Sequence, residues 1–110
     1  MLKKYKKIYS LAHQAGYRNY TVRDLLELKG KKKLTQINVV SANEAAAAEI
    51  AGIDLLITGA DNLKAIREAA PNTFLTCGIK YTEHESKESI AKKCFELVEL
   101  GVDSIHTNSW

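Results

Sequence analysis

The sequence predicts an α/β chain of parallel strands joined by helices, and three observations predict it. After residue 33 the pattern alternates strand and helix through to the last residues. Connections are short, because one proline and six glycines in 110 residues leave little room for long loops. The helix-to-strand corner Gly52-Ile53-Asp54 returns 49 residues later as Gly101-Val102-Asp103. Alternation with short connections implies right-handed crossovers between parallel neighbours. An echo spaced by two such units suits a (β/α)8 barrel of the TIM type, which needs ~200–250 residues, although flavodoxin-like sheets use the same corner. The expectation is therefore one partial barrel domain over residues 1–110, about half a barrel. Residues 1–30 would form N-terminal helices and residues 34–108 would run β-α-β-α-β-α-β.

In chain order, Leu2, Tyr5, Ile8, Tyr9 and Ala12 make one apolar stripe at helical spacing, so Leu2–Ala15 reads as a helix stopped by Gly16. Thr21 with Asp24 three residues on resembles a capping box for a short helix, Val22–Lys29, closed by Gly30. Leu34–Val40 is β-branched and partly alternating, hence a strand. Ser41 with Glu44 caps the next helix, which Gly52 ends in the left-handed conformation. Ile53–Thr58 is an apolar run of the length of a buried parallel strand. Asp61 is placed to cap a helix over Asn62–Ala70, broken at Pro71-Asn72. Thr73–Ile79 is the third strand, and Lys80–Glu85 a polar loop. A helix capped near Ser86 runs to Leu100 with Ile90, Cys94, Leu97 and Val98 as its stripe. Gly101 ends it, and Val102–Thr107 is the fourth strand. A parallel strand left at that edge would expose unpaired backbone groups, so the expectation is either a fragment of a longer chain or pairing with another copy, a homo-oligomer, with a self-contained four-stranded α/β domain as the alternative.

The hydrophobic fraction of 45% and charged fraction of 26% describe a globular chain and exclude wholesale disorder. No run approaches the ~18 apolar residues of a membrane span, and the basic N-terminus lacks the apolar core of a signal peptide. A cytoplasmic protein with no membrane partner is expected. Cys77 and Cys94, with sixteen residues between them, fit neither a redox nor a zinc spacing and read as two core thiols. The net charge of +3 is too small to argue for nucleic acid. Lys3, Lys4, Lys6 and Lys7, and Lys29 with Lys31–Lys33, read as solvated faces.

Several stretches resemble one enzyme family. Thr21–Thr35, with its Leu-Lys-Gly-Lys-Lys-Lys-Leu-Thr run, is similar to the start of ketopantoate (3-methyl-2-oxobutanoate) hydroxymethyltransferase. So are Glu44–Asp54, Leu55–Gly59, Ile66–Thr76 and Leu97–Asp103. The similarity covers roughly residues 21 to 108 and matches the N-terminal part of a barrel of the phosphoenolpyruvate mutase/isocitrate lyase superfamily. It implies hydroxymethyl transfer from methylenetetrahydrofolate, as co-substrate, to a small 2-oxo acid on the way to pantothenate. It also implies a magnesium ion that stabilises the enolate, because a hard cation on the carbonyl acidifies the neighbouring carbon. Alternatives are another superfamily lyase or mutase, and a non-catalytic half-barrel that assembles with itself or a partner.

Barrel sites lie at the C-terminal ends of the strands. There the resemblance places Ser41 and Gly59 at the substrate, Asp61 as a metal ligand displaced by one position, His106 as a catalytic acid/base and Asn108 on a substrate oxygen. The chain departs from the family's carboxylates at that rim. Gly59-Ala60-Asp61 stands for Gly-Asp-Ser, Cys77-Gly78 for Ala-Asp, His106-Thr107-Asn108 for Lys-x-Glu and Val40-Ser41 for Tyr-Asp.

Overall fold

The structure, a computed structural model, describes residues 5–59, 61–80 and 86–107. Strands β1 (Lys6–Tyr9) and β2 (Ala15–Arg18) form an antiparallel hairpin, followed by helix α1 (Val22–Leu28). Then come β3 (Gln36–Asn38), α2 (Ala42–Ala51), β4 (Leu55–Thr58), α3 (Leu63–Ala69), β5 (Phe74–Ile79), α4 (Lys87–Glu99) and β6 (Ser104–Thr107). The last four strands make one sheet in the order β3-β4-β5-β6, every neighbouring pair parallel. Strands adjacent in sequence are thus adjacent in space, as the short connections require.

Alternation along the strands gives the sheet two faces. Leu56, Leu75, Cys77 and Ile79 point to the helices and pack with Ala45, Ala48, Leu63, Ile66 and Leu97 into one core. Ile57, Thr76 and Ser104 point the other way, where the Thr76 and Ser104 hydroxyls meet at 2.8 Å. Small side chains on α2 let it lie close to α3, with Ala45 and Ala48 buried between. On α4, Leu97 is fully buried, Cys94 and Val98 pack beside it, and Phe95 is exposed.

The N-terminal helix expected over Leu2–Ala15 is not formed by the described part of that segment. Lys6-Lys7-Ile8-Tyr9 alternates as well as it spirals, and Ser10 decides between the periods. Its Oγ accepts from the N–H groups of Ala12 and Gln14, and its N–H donates to the Gln14 carbonyl. These bonds, with His13 at φ +60°, make a tight turn that a helix could not accommodate. Gly16 accordingly lies within β2 and stops nothing. The capping box at Thr21 is present, with the Asp24 carboxylate accepting from the Thr21 N–H at 2.8 Å. Ser41 and Ser86 cap α2 and α4 through their hydroxyls. Asp61 caps nothing: the residue before α3 is Asn62, without a side-chain cap bond. Residues 81–85 of the expected polar loop lie outside the described residues.

The repeated Gly-x-Asp corner has a structural meaning. Gly52 (φ +83°) and Gly101 (φ +100°) both turn the chain from helix to strand in the left-handed region. Each following aspartate then ties its strand to the preceding neighbour. Asp54 accepts from the Thr35 N–H at 2.9 Å, ahead of β3, and from the Tyr20 hydroxyl at 2.9 Å. Asp103 accepts from the Leu75 N–H at 2.9 Å, from Arg18 Nε at 3.0 Å and from Arg67 Nη1 at 3.1 Å. Both aspartates sit at the N-terminal end of the sheet. The hairpin docks there too, with the Asn19 side chain accepting from the Phe74 N–H and donating to the Asp54 carbonyl. Burial and the neighbouring Arg18 lower the Arg67 guanidinium to about 10, although Asp103 pulls it the other way.

Candidate functional site

The opposite, C-terminal end of the sheet carries the chemistry the sequence singles out. Val40-Ser41 after β3, Gly59 after β4 with Asp61 and Asn62 ahead of α3, and the last residues of β6 all lie at that end. Val40, Thr58, Gly59, Asp61 and Asn62 line an open cleft of about 360 Å³. Asn62 shapes it, because its amide donates to the Val40 carbonyl at 2.9 Å and so fastens the exit of β3 to the start of α3. Asp61 is exposed on the cleft wall.

Ser41 adjoins the cleft through Val40, but its hydroxyl is already engaged: it accepts the Glu44 N–H at 3.2 Å and approaches the Glu44 carboxylate at 3.4 Å. His106 lies at the same end of the sheet and is exposed. It pairs with Gly78 on β5, and continuing the β4–β5 register by one residue places Gly59 opposite Gly78. Strands are spaced ~4.8 Å apart, so β6 is about 10 Å from β4. A ligand touching both Gly59 and His106 has to lie across Gly78, where a side chain's first carbon would find only the Thr58 carbonyl oxygen, 3.8 Å away. Asn108 lies outside the described residues, as do His84 and Glu85.

The structure thus brings Gly59 and Asp61 into one cleft, sets Ser41 beside it with its hydroxyl committed, and puts His106 two strands away on the same rim. Sequence reasoning missed Asn62 and Gly78. Asn62 was hidden behind Asp61, which has the stronger look of a helix cap. Gly78 becomes visible only when the register sets it between Gly59 and His106.

Magnesium demands octahedral oxygen donors, usually including one or two carboxylates. In the cleft Asp61 is the carboxylate, while the Ser41 hydroxyl and the Val40 carbonyl are occupied by protein hydrogen bonds. Among the described residues no three or more His, Cys, Asp or Glu side chains lie together so as to hold a metal ion. The described donors therefore do not fit a magnesium-held enolate. Cys77 is no nucleophile either: burial raises its thiol, against a smaller opposite pull from Lys93. Both cysteines are free thiols.

Two curated proteins are similar to this chain. The 3-methyl-2-oxobutanoate hydroxymethyltransferase of Kosmotoga olearia is 26% identical over 106 residues, covering 76% of this chain and 40% of the relative. The protein of the same name from Thermosipho melanesiensis is 24% identical over 107 residues, covering 77% and 40%. The chain spans about two fifths of the length of these relatives. No family model matches the chain, and no solved structure matches it. The likeness is a family resemblance, carried by an α/β chain with a four-stranded parallel sheet. Among the described residues, no helix is long and apolar enough to cross a membrane.

Proposed function

We propose that this chain supplies about half of a TIM-type barrel of the hydroxymethyltransferase kind, and that its C-terminal rim receives a small 2-oxo acid. One observation carries the reading: the four strands run parallel in sequence order, so Ser41, Gly59, Asp61 and His106 come to one end of one sheet. That is the end at which barrel enzymes bind substrate. The similarity to two 3-methyl-2-oxobutanoate hydroxymethyltransferases supports the substrate class, and methylenetetrahydrofolate would be the co-substrate. A cytoplasmic location goes with this reading.

In this reading the cleft at Gly59 seats the acid, and the open backbone at Gly78 lets it reach toward β6. His106 moves the proton on the carbon beside the carbonyl, since imidazole is the side chain suited to proton transfer at neutral pH. Asp61 orients a polar group of the ligand. No step runs through magnesium, because the described donors do not fit it. The test is deuterium exchange at the carbon beside the carbonyl of 3-methyl-2-oxobutanoate, followed by proton NMR. Exchange that is lost in His106→Ala and unchanged by chelator supports the reading. Absence of exchange above the buffer rate, with and without added magnesium, contradicts it.

A second reading, self-assembly of the open sheet, is favoured by the edge strand β3. Gln36, Ile37 and Asn38 are all exposed there, and Val40 just beyond is 66% exposed. Light scattering tests it: a mass at least twice that of the single chain supports assembly, and a monomer at high concentration rejects it.

A further inference from the structure

The net charge of +3 conceals a division within the chain. Residues 1–33 contain ten of the 16 Lys+Arg and only two of the 13 Asp+Glu, while residues 34–110 contain six and eleven. Whole-chain charge was the ground for expecting no nucleic acid, and it averages two regions of opposite sign. In the folded chain Arg18 is spent on Asp103 and Lys6 on Asp24. Lys7, Lys29 and Lys31–Lys33 stay exposed. The Lys6–Asp24 pair ties α1 to the inner side of the hairpin, the side of Ile8 and Arg18, and in the run that follows α1 Lys32 donates to the Tyr20 hydroxyl, which among the described residues leaves Lys7 as the cation on the outer side.

The hairpin itself has two distinct faces. Ile8 is half-buried and Arg18 buried, turned toward the sheet. Lys7 pairs with Tyr17 and Tyr9 with Ala15 across the strands, so Lys7, Tyr9 and Tyr17 share the other face. Tyr9 is 65% and Tyr17 49% exposed, and Tyr5, next in the alternation, 37%. The Lys7 ammonium lies 5.5 Å from the centre of the Tyr9 ring. Burying these rings would be the ordinary outcome for a hairpin; here they stand exposed, with Lys7 beside Tyr9.

Aromatic rings flat on a β-surface beside cations are what single-stranded nucleic acid uses, because bases stack on the rings while phosphates meet the charges. A surface-lying membrane helix would instead carry a continuous aliphatic face, which this two-stranded ribbon lacks. We propose that the outer face of the β1–β2 hairpin binds single-stranded nucleic acid, with bases on Tyr9 and Tyr17 and a phosphate at Lys7. The site is at the opposite end of the sheet from the rim cleft and is independent of the 2-oxo acid reading.

The experiment is fluorescence anisotropy of a labelled oligothymidylate about 12 nucleotides long, titrated with the whole chain at several salt concentrations. Binding should weaken with salt, at a log–log slope of about −0.7 for each phosphate neutralised. Tyr9→Ala and Tyr17→Ala should each weaken it about tenfold, with an unchanged circular dichroism spectrum, while Tyr9→Phe should retain it. The proposal is overturned by no anisotropy change at low salt. It is also overturned if the alanine variants bind as tightly as the parent, or if the chain prefers phosphatidylserine vesicles to the oligonucleotide.

Discussion

Replacing Asp103 by alanine should cost far more than the same change at Asp54, although the two residues occupy the same place in a repeated Gly-x-Asp corner. Asp103 is the counter-charge for two guanidinium groups, Arg18 and Arg67, whose side chains are 10% and 9% exposed. Removing it leaves Arg18 with the Tyr17, Pro71 and Gly101 carbonyls and Arg67 with those of Ala70, Thr73 and Gly101, but leaves both without that carboxylate. Breaking a buried ion pair from one side costs about 3–5 kcal/mol. Asp54 is only half-buried and neutral hydrogen bonds hold it, from Thr35 and Tyr20. Its loss should cost about 1–2 kcal/mol, since the freed groups can reach water. A domain of this size has ~5–15 kcal/mol in total, so Asp103→Ala removes a large fraction. Asp103→Asn, which keeps an acceptor for the Leu75 N–H, should fall between the two. Urea unfolding followed by circular dichroism measures all three. A loss below about 1 kcal/mol for Asp103→Ala, or equal losses at the two corners, would refute the distinction between a charged pin and a neutral one.

Three further outcomes follow from the same geometry. Gly101→Ala should destabilise by about 1–3 kcal/mol, more than Gly52→Ala, since a Cβ at Gly101 would also lie 3.1 Å from the Arg67 Cδ whereas Gly52 faces open space; thermal melts compare them. Burial raises the Asp54 carboxyl, but hydrogen bonds from Thr35 and Tyr20 outweigh it and leave it below its ordinary value. Its contribution is therefore complete above about pH 4, the unfolded value, and is lost as pH falls through the lower folded value; Asp54→Asn should flatten that acid limb in urea titrations. Cys77, fully buried with a raised thiol, should resist a thiol reagent in the native chain and react on unfolding, whereas half-buried Cys94 should react first; mass spectrometry of the labelled peptides decides the order.

Most of the sheet was legible because its punctuation is local. Ser41, Gly52, Ser86 and Gly101 bound α2 and α4 through a hydroxyl cap or a left-handed turn, features that depend on neighbours in sequence alone. The N-terminal hairpin was not legible in the same way. Tyr5, Ile8 and Tyr9 satisfy helical spacing, and the contest was settled by the Ser10 turn and by docking against residues more than 50 positions away, such as Asn19 with Asn72 and Phe74. The rim was half legible. Gly59 and Asp61 could be placed together from the strand–helix reading, but Asn62 takes the position before α3 and spends its amide on Val40. The part Gly78 plays depends on register between β5 and β6, which no single segment encodes. The Gly-x-Asp echo was visible, but its work lies at the N-terminal pole, where the aspartates pin strands.

The most direct test of a ligand rim at one end of the sheet and structural pins at the other is a backbone amide NMR titration with 3-methyl-2-oxobutanoate. The account predicts saturable shifts at Ser41, Gly59, Asp61, Gly78 and His106, with Asp54, Leu75 and Asp103 unmoved. Shifts confined to the Asp54–Asp103 end, or none at any concentration, would contradict it.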